Sequence, residues 1–127
     1  MDRPAADAPP VTEMLGALYE LILLRRDGGE PSSYVNRLFQ RGHDVICKKV
    51  GEEASEVIIA SKNEAADELV YEMADLWFHS LVLLGRHNIH PHEVLRELQR
   101  RFGQPGGGKS TSDEASAVSG SSATETP

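Results

Sequence analysis

The stretch from Glu64 to His87 constrains this chain more than any other, because it is apolar around most of a helical circumference. Leu69, Val70, Met73, Leu76, Trp77, Phe78, Leu81, Val82 and Leu84 leave little polar surface once wound at roughly 100° per residue. A helix apolar nearly all round must be covered nearly all round. The chain has 127 residues, room for one small domain, and it supplies few other helices as cover. A second copy of the chain is the simplest cover, so the sequence predicts a homodimer built as a helical bundle.

The flanking segments read as helices too. Leu15, Leu18, Tyr19, Ile22 and Leu23 recur at helical spacing from about Thr12 until Asp27-Gly28-Gly29 stops the run. Glu30-Pro31-Ser32-Ser33 is a loop whose last serine is placed to cap a short helix from Tyr34 to about Gln40. Gly42 ends that helix, and Asp44 is a candidate cap for a third helix to about Ser61. Asn88 stops the apolar fourth helix. Pro91 opens a fifth, which ends at Gly103. Residues 1–10 carry three prolines and read as a disordered N-terminus; 11–103 form an all-α domain; 104–127 are a disordered Gly/Ser-rich tail. No alternating β pattern occurs. The fold class is all-α: about five helices, with a four-helix-bundle-like core completed by homodimerisation.

Charge and cysteine content narrow the partners. A formal net charge of −7 argues against nucleic acid, which needs a basic face. It leaves room for a small phosphorylated ligand, because a metal ion can supply the missing positive charge. The single cysteine, Cys47, cannot form an internal disulfide, which fits a reducing compartment. The start, MDRPAADAPP, lacks the apolar run of a signal peptide. No apolar stretch approaches the ~20 residues of a membrane span. The sequence therefore predicts a soluble cytoplasmic protein with no membrane partner.

Acidic residues interrupt this apolar architecture in a pattern. On the third helix Ile46, Val50, Ala54, Val57 and Ile58 define the face expected to be buried, with Glu53 at its margin, Glu56 one turn on and Glu52 further round. Lys49 shares the stripe. On the fourth helix Glu68, Glu72, Asp75 and His79 fall on one narrow stripe flanked by Leu76 and Leu83. Carboxylates that face one another raise each other's pKa unless something neutralises them. Mg²⁺, an octahedral ion that takes carboxylate, water and phosphate oxygens, does so. The pattern E-E-x-x-E, fifteen residues, E-x-x-D is thus a sensible metal cradle. A plain solvated face is the rival: Lys49 stands four residues before Glu53, and Lys48 four before Glu52, as surface ion pairs require. His79 reads as a satisfied core histidine, since magnesium prefers oxygen. Gly51 within a helix suggests close approach by another helix or by ligand.

The stretch SYVNRLFQRGHDVICKKVGEEASEVIIASKN, followed by DELVYEMADLWFHSLVLLGRHNIHPHEVLREL, resembles the phosphoribosyl-ATP pyrophosphohydrolase family of histidine biosynthesis. The likeness runs from about Ser33 to Arg101, and Lys48 to Asn63 is its most specific block. The wider group of all-α nucleotide pyrophosphohydrolases, with MazG-like and dimeric dUTPase proteins, shares only the acidic pattern. The resemblance implies Mg²⁺ ligation by Glu53, Glu56, Glu72 and Asp75 and cleavage of phosphoribosyl-ATP to phosphoribosyl-AMP and pyrophosphate. Glu52 and Glu53 are the catalytic candidates, Glu52 as a ligand or as the base that positions water. Arg37, Lys48, Lys49, Lys62 and Asn63 are candidates for substrate binding; for Lys62 and Asn63 a solvated helix end stays open. Some relatives carry a cyclohydrolase domain with cysteine zinc ligands. One cysteine and this length predict a monofunctional chain. Two other readings remain: a housekeeping hydrolase of non-standard nucleoside triphosphates, and a non-enzymatic helical dimer serving as an interaction module.

Overall fold

A 3-10 turn, Val11–Glu13, feeds directly into helix α1 (Met14–Gly28) in a computed structural model that describes residues 7–28 and 33–104. Then come α2 (Tyr34–Arg41), α3 (His43–Lys62), α4 (Ala66–Arg86) and α5 (Pro91–Arg101), and no strand occurs among the described residues. The all-α expectation holds. The Glu30-Pro31-Ser32 loop and most of both expected disordered ends lie outside the described residues. Two compact units are present, one ending at Pro91 and one beginning at His92. The second consists, within the described residues, of α5 and its short extension to Gln104.

Local chemistry sets most boundaries. Ser33 caps α2 as expected, its hydroxyl accepting from the Asn36 amide at 3.0 Å. Gly42 separates α2 from α3 with φ 105° and ψ 178°, a backbone region reached almost only by glycine. The third helix starts two residues earlier than expected, at His43, so Asp44 sits in the first turn and makes no side-chain cap. Its charge still faces the positive end of the helix. The fourth helix starts at Ala66 rather than Glu64, because Glu64 takes a left-handed conformation, φ 54°, that closes α3. There the amides of Glu64 and Ala65 turn back to the carbonyls of Ser61 and Ala60. Asn88, at φ 56°, ends α4 the same way, with Ile89 N–H bonded to Leu84 O at 3.0 Å.

In the first unit α3 and α4 lie against each other as a hairpin joined by three residues, 63–65, and α1 and α2 pack on it. Ile22, Val35, Leu38, Ile46, Leu81 and Val82 form the core, one or two residues from each helix. At the crossing of α1 and α4 a side chain on Gly85 would meet Phe39 at 3.3 Å and Leu23 at 3.6 Å, so glycine sets that approach. Arg26 fastens the same corner, donating to Gly85 O at 2.7 Å and to Asn88 Oδ1 at 2.8 Å. A Cβ on Gly51, by contrast, would meet nothing within 4 Å among the described residues outside its own helix turn. Ile58, expected on the buried face of α3, is 61% exposed, and the adjacent Ile59 is exposed as well. On α4, Val70 is 71% and Trp77 55% exposed, with Tyr71 beside them. Among the described residues, these side chains of α3 and α4 form an exposed apolar band.

Candidate active site

A short turn between two long helices brings the middle of α3 opposite the middle of α4. Carboxylate oxygens of Glu53, Glu72 and Asp75 all lie within 4.8 Å of one another. Glu53 points inward, only 8% exposed, so it is more deeply placed than the margin position expected of it. Glu72 and Asp75, one turn apart on α4, are half-buried. The Glu72 carboxyl is raised above the usual carboxylate value. Desolvation is the first cause; the charges of Glu53, Asp75 and Glu56 follow, then a hydrogen bond with Glu53. Negative charge is crowded here, and a proton or a cation relieves it.

Lys49 borders the cluster. Its ammonium lies 3.3 Å from a Glu52 oxygen and 3.6 Å from Glu53 Oε1, while Lys48 reaches Glu52 at 3.8 Å. Lys49–Glu53 and Lys48–Glu52 are the ion pairs that the four-residue spacing suggested; Lys49–Glu52 spans three residues. Desolvation works against the Lys49 charge, but the hydrogen bond to Glu52 and the charges of Tyr34, Glu52 and Glu53 outweigh it and hold its pKa above the ordinary value.

Behind Asp75 lies a second layer. His79 is buried, with Nδ1 2.8 Å from the Asp75 carbonyl oxygen and Nε2 2.7 Å from Tyr34 Oη. A carbonyl only accepts, so Nδ1 carries the proton; in the neutral ring Nε2 then accepts the Tyr34 hydroxyl. Both nitrogens are used, and His79 is the satisfied core histidine that was expected. The Tyr34 ring stacks on Phe78 at 6.3 Å and 24° and meets His79 edge-on. Burial raises the Tyr34 phenol, Lys49 opposes that, and Glu53, Asp75 and Glu52 add to it. Sequence reasoning does not single out Tyr34. The available signal was His79 itself, which needs a hydrogen-bond partner from another element.

The other candidates sit further out. Glu56 is exposed, and its charge reaches Glu72 although its carboxylate is outside the group of three. Glu52 is exposed beside both lysines, and Glu68 is exposed. Arg37 is exposed on α2, one turn beyond Tyr34. Lys62 and Asn63 close α3, roughly 14 Å along the axis from Glu53 at 1.5 Å per residue. The cradle and the end of α3 are separate places in this chain.

Three hard carboxylate donors on one side of a hairpin, with solvent on the other, suit an octahedral Mg²⁺ that completes its shell with water and phosphate oxygens. Fold and donor set together define an all-α protein with an acidic, cation-ready cradle on a helical hairpin. Comparison with known proteins makes this particular. Residues 15–102 match the family model described as Phosphoribosyl-ATP pyrophosphohydrolase, and the chain belongs to that family. It is 55% identical over 94 residues to the phosphoribosyl-ATP pyrophosphatase of Geobacter sulfurreducens, covering 74% of this chain and 87% of that one. To the phosphoribosyl-ATP pyrophosphatase of Neisseria gonorrhoeae it is 46% identical over 93 residues, 73% of this chain and 87% of the other. The histidine biosynthesis bifunctional protein HisIE of Caldanaerobacter subterraneus is 51% identical over 90 residues, which are 71% of this chain and 44% of that longer one.

Proposed function

We propose that this chain hydrolyses phosphoribosyl-ATP to phosphoribosyl-AMP and pyrophosphate in histidine biosynthesis, with Mg²⁺ held by Glu53, Glu72 and Asp75. The observation that carries the metal assignment is the meeting of these three carboxylates within 4.8 Å. Glu56, whose charge bears on Glu72, is the fourth ligand in this reading. When bound, the ion neutralises the leaving pyrophosphate and acidifies a coordinated water. The protein's part is placement. Glu53 and Asp75 hold fixed positions because one is buried and the other is anchored through its backbone to His79. Exposed Glu52, paired with Lys48 and Lys49, is the candidate that positions the attacking water. Lys49, 3.6 Å from Glu53, is set to meet a phosphate once a cation has taken its place there, and Lys48 and Arg37 are the further candidate contacts.

A homodimer belongs to this reading, and the exposed apolar band of Ile58, Ile59, Val70, Tyr71 and Trp77 supports it. A cytoplasmic location goes with the free thiol of Cys47; among the described residues no helix is long and apolar enough to cross a membrane. The cradle reads phosphates and ignores the base, so selectivity rests on groups outside it. Pyrophosphate release from phosphoribosyl-ATP, ATP and dUTP tests this. The expected kcat/KM for phosphoribosyl-ATP exceeds the others by at least ~10³, the scale reached when a polar site is left unpaired by the wrong substrate. Similar turnover of all three would favour a housekeeping nucleotide hydrolase.

A further inference from the structure

We propose that His43 and His87 form a metal site apart from the carboxylate cradle, which binds a borderline divalent ion such as Zn²⁺ and clips the open end of the α3–α4 hairpin. The turn at 63–65 closes the hairpin at one end. At the other end His43 is the first residue of α3 and His87 is the C-cap of α4. Their rings meet, with centroids 5.2 Å apart and planes at 80°. Both residues are exposed. Among the described residues neither imidazole makes a hydrogen bond or an ion pair, so their nitrogens are available.

That separation is the one a shared ion requires. With a Zn–N bond of about 2.1 Å, an imidazole centroid stands about 3.2 Å from the ion, and two rings at a tetrahedral angle stand about 5 Å from each other. Aiming both nitrogens at the common point takes rotation about the second side-chain torsion, which in histidine is broad. Donor chemistry separates this site from the cradle. The cradle offers carboxylate oxygens and suits Mg²⁺, whereas imidazole suits zinc, copper and nickel. Cys47 adds a soft donor. Its exposed free thiol stands four residues after His43 on α3, the spacing that sets two ligands on one face of a metal-binding helix. Among the described residues only the cradle gathers three donors within 4.8 Å, so the histidine pair, already in contact, carries the site and the thiol is secondary. An ion held there joins the start of α3 to the end of α4 and limits splaying of the two helices that bear Glu53 and Asp75. The clip stands whether or not the cradle holds Mg²⁺.

The test titrates the reduced full chain with Zn²⁺ by calorimetry, in excess Mg²⁺ to occupy the cradle, and follows Tm at each Zn²⁺ concentration. Zn²⁺ is expected to bind and to raise Tm as its concentration grows. His43→Gln and His87→Gln should each weaken that binding at least about tenfold, since losing a ligand costs more than the ~10-fold that losing a ligand's support can cost. The rise in Tm should shrink with it. Without Zn²⁺ these variants should melt with the parent, because both side chains are exposed. Cys47→Ser should weaken binding by less than either histidine variant. Zn²⁺ binding and a rise in Tm that are the same in the parent and in the double variant His43→Gln/His87→Gln would place the ion elsewhere and overturn the proposal. Weakening confined to Cys47→Ser would overturn it too, since the thiol and not the imidazoles would then be the site. Binding with no rise in Tm would remove the clip.

Discussion

Glu53 carries the most opposed demands of any side chain in the protein. It is buried, it shares its surroundings with two other carboxylates, and Lys49 is its near cation at 3.6 Å. Glu53→Gln keeps size and helix propensity and removes the charge. Mg²⁺-dependent turnover should disappear. Without metal the fold should be unchanged or slightly stabilised, because relief of repulsion from Glu72 and Asp75 outweighs one partly screened ion pair. Turnover with excess Mg²⁺ and Tm without it check the two halves separately, and normal turnover would remove Glu53 from the cradle. The stripes of acidic residues that led to Glu53 were legible in the sequence because helical spacing fixes which residues share a face. Which faces meet was not. Helical spacing put Ile58 inside and Glu53 at the edge, whereas the packing of α4 on α3 puts Glu53 inside and leaves Ile58 out. Tyr34 escaped for the same reason: its hydrogen bond to His79 spans 45 residues, and no local pattern encodes it.

The helices themselves were easier to read than their ends. Ser33 caps α2 through a contact three residues long, and such local bonds are written in sequence. The start of α3 was set instead by Gly42, whose positive φ makes the break sharp enough for His43 to begin the next helix. Gly42→Ala should destabilise the protein by about 1–3 kcal/mol, the cost of forcing a Cβ into that backbone region, although nothing lies within 4 Å of the added carbon. Urea unfolding would register the loss, and an unchanged midpoint would mean that the α2–α3 junction bends without strain. In the second unit, α5 carries its own charge lattice. Hydrogen bonds from Arg100 and then Arg101 hold the Glu97 carboxyl down to about 2. A depressed folded pKa contributes stability that is present above the ordinary value of 4.5 and lost as pH falls toward about 2. The excess helicity of the parent over Glu97→Gln, followed by circular dichroism, should therefore shrink across that interval and vanish at its lower end. Persistence of the difference below it would contradict the pairing.

For the whole molecule the decisive feature is the apolar band left exposed among the described residues. The need for cover is legible in the amino-acid pattern alone, since α4 has too few polar positions to stand in water on most sides. The face that stays open, Val70, Tyr71 and Trp77 with Ile58 and Ile59, is visible only after α1 and α2 have taken theirs. Trp77→Glu should turn a sedimenting dimer into a monomer of lower Tm at micromolar concentration; a parent that sediments as a stable folded monomer would refute the dimer. The hairpin that bears the cradle has another consequence, for the order of events in folding. Glu53 and Asp75 are only 22 positions apart, and a three-residue turn closes the loop between them. Contacts so local in the chain form early, so the like charges meet while the molecule is still mostly unfolded. Their repulsion then weighs on the barrier to folding as well as on the finished structure. A divalent cation present from the outset is expected to speed the zipping of α3 onto α4, which would make the ion an assistant to folding at the same residues proposed to hold it for the chemistry.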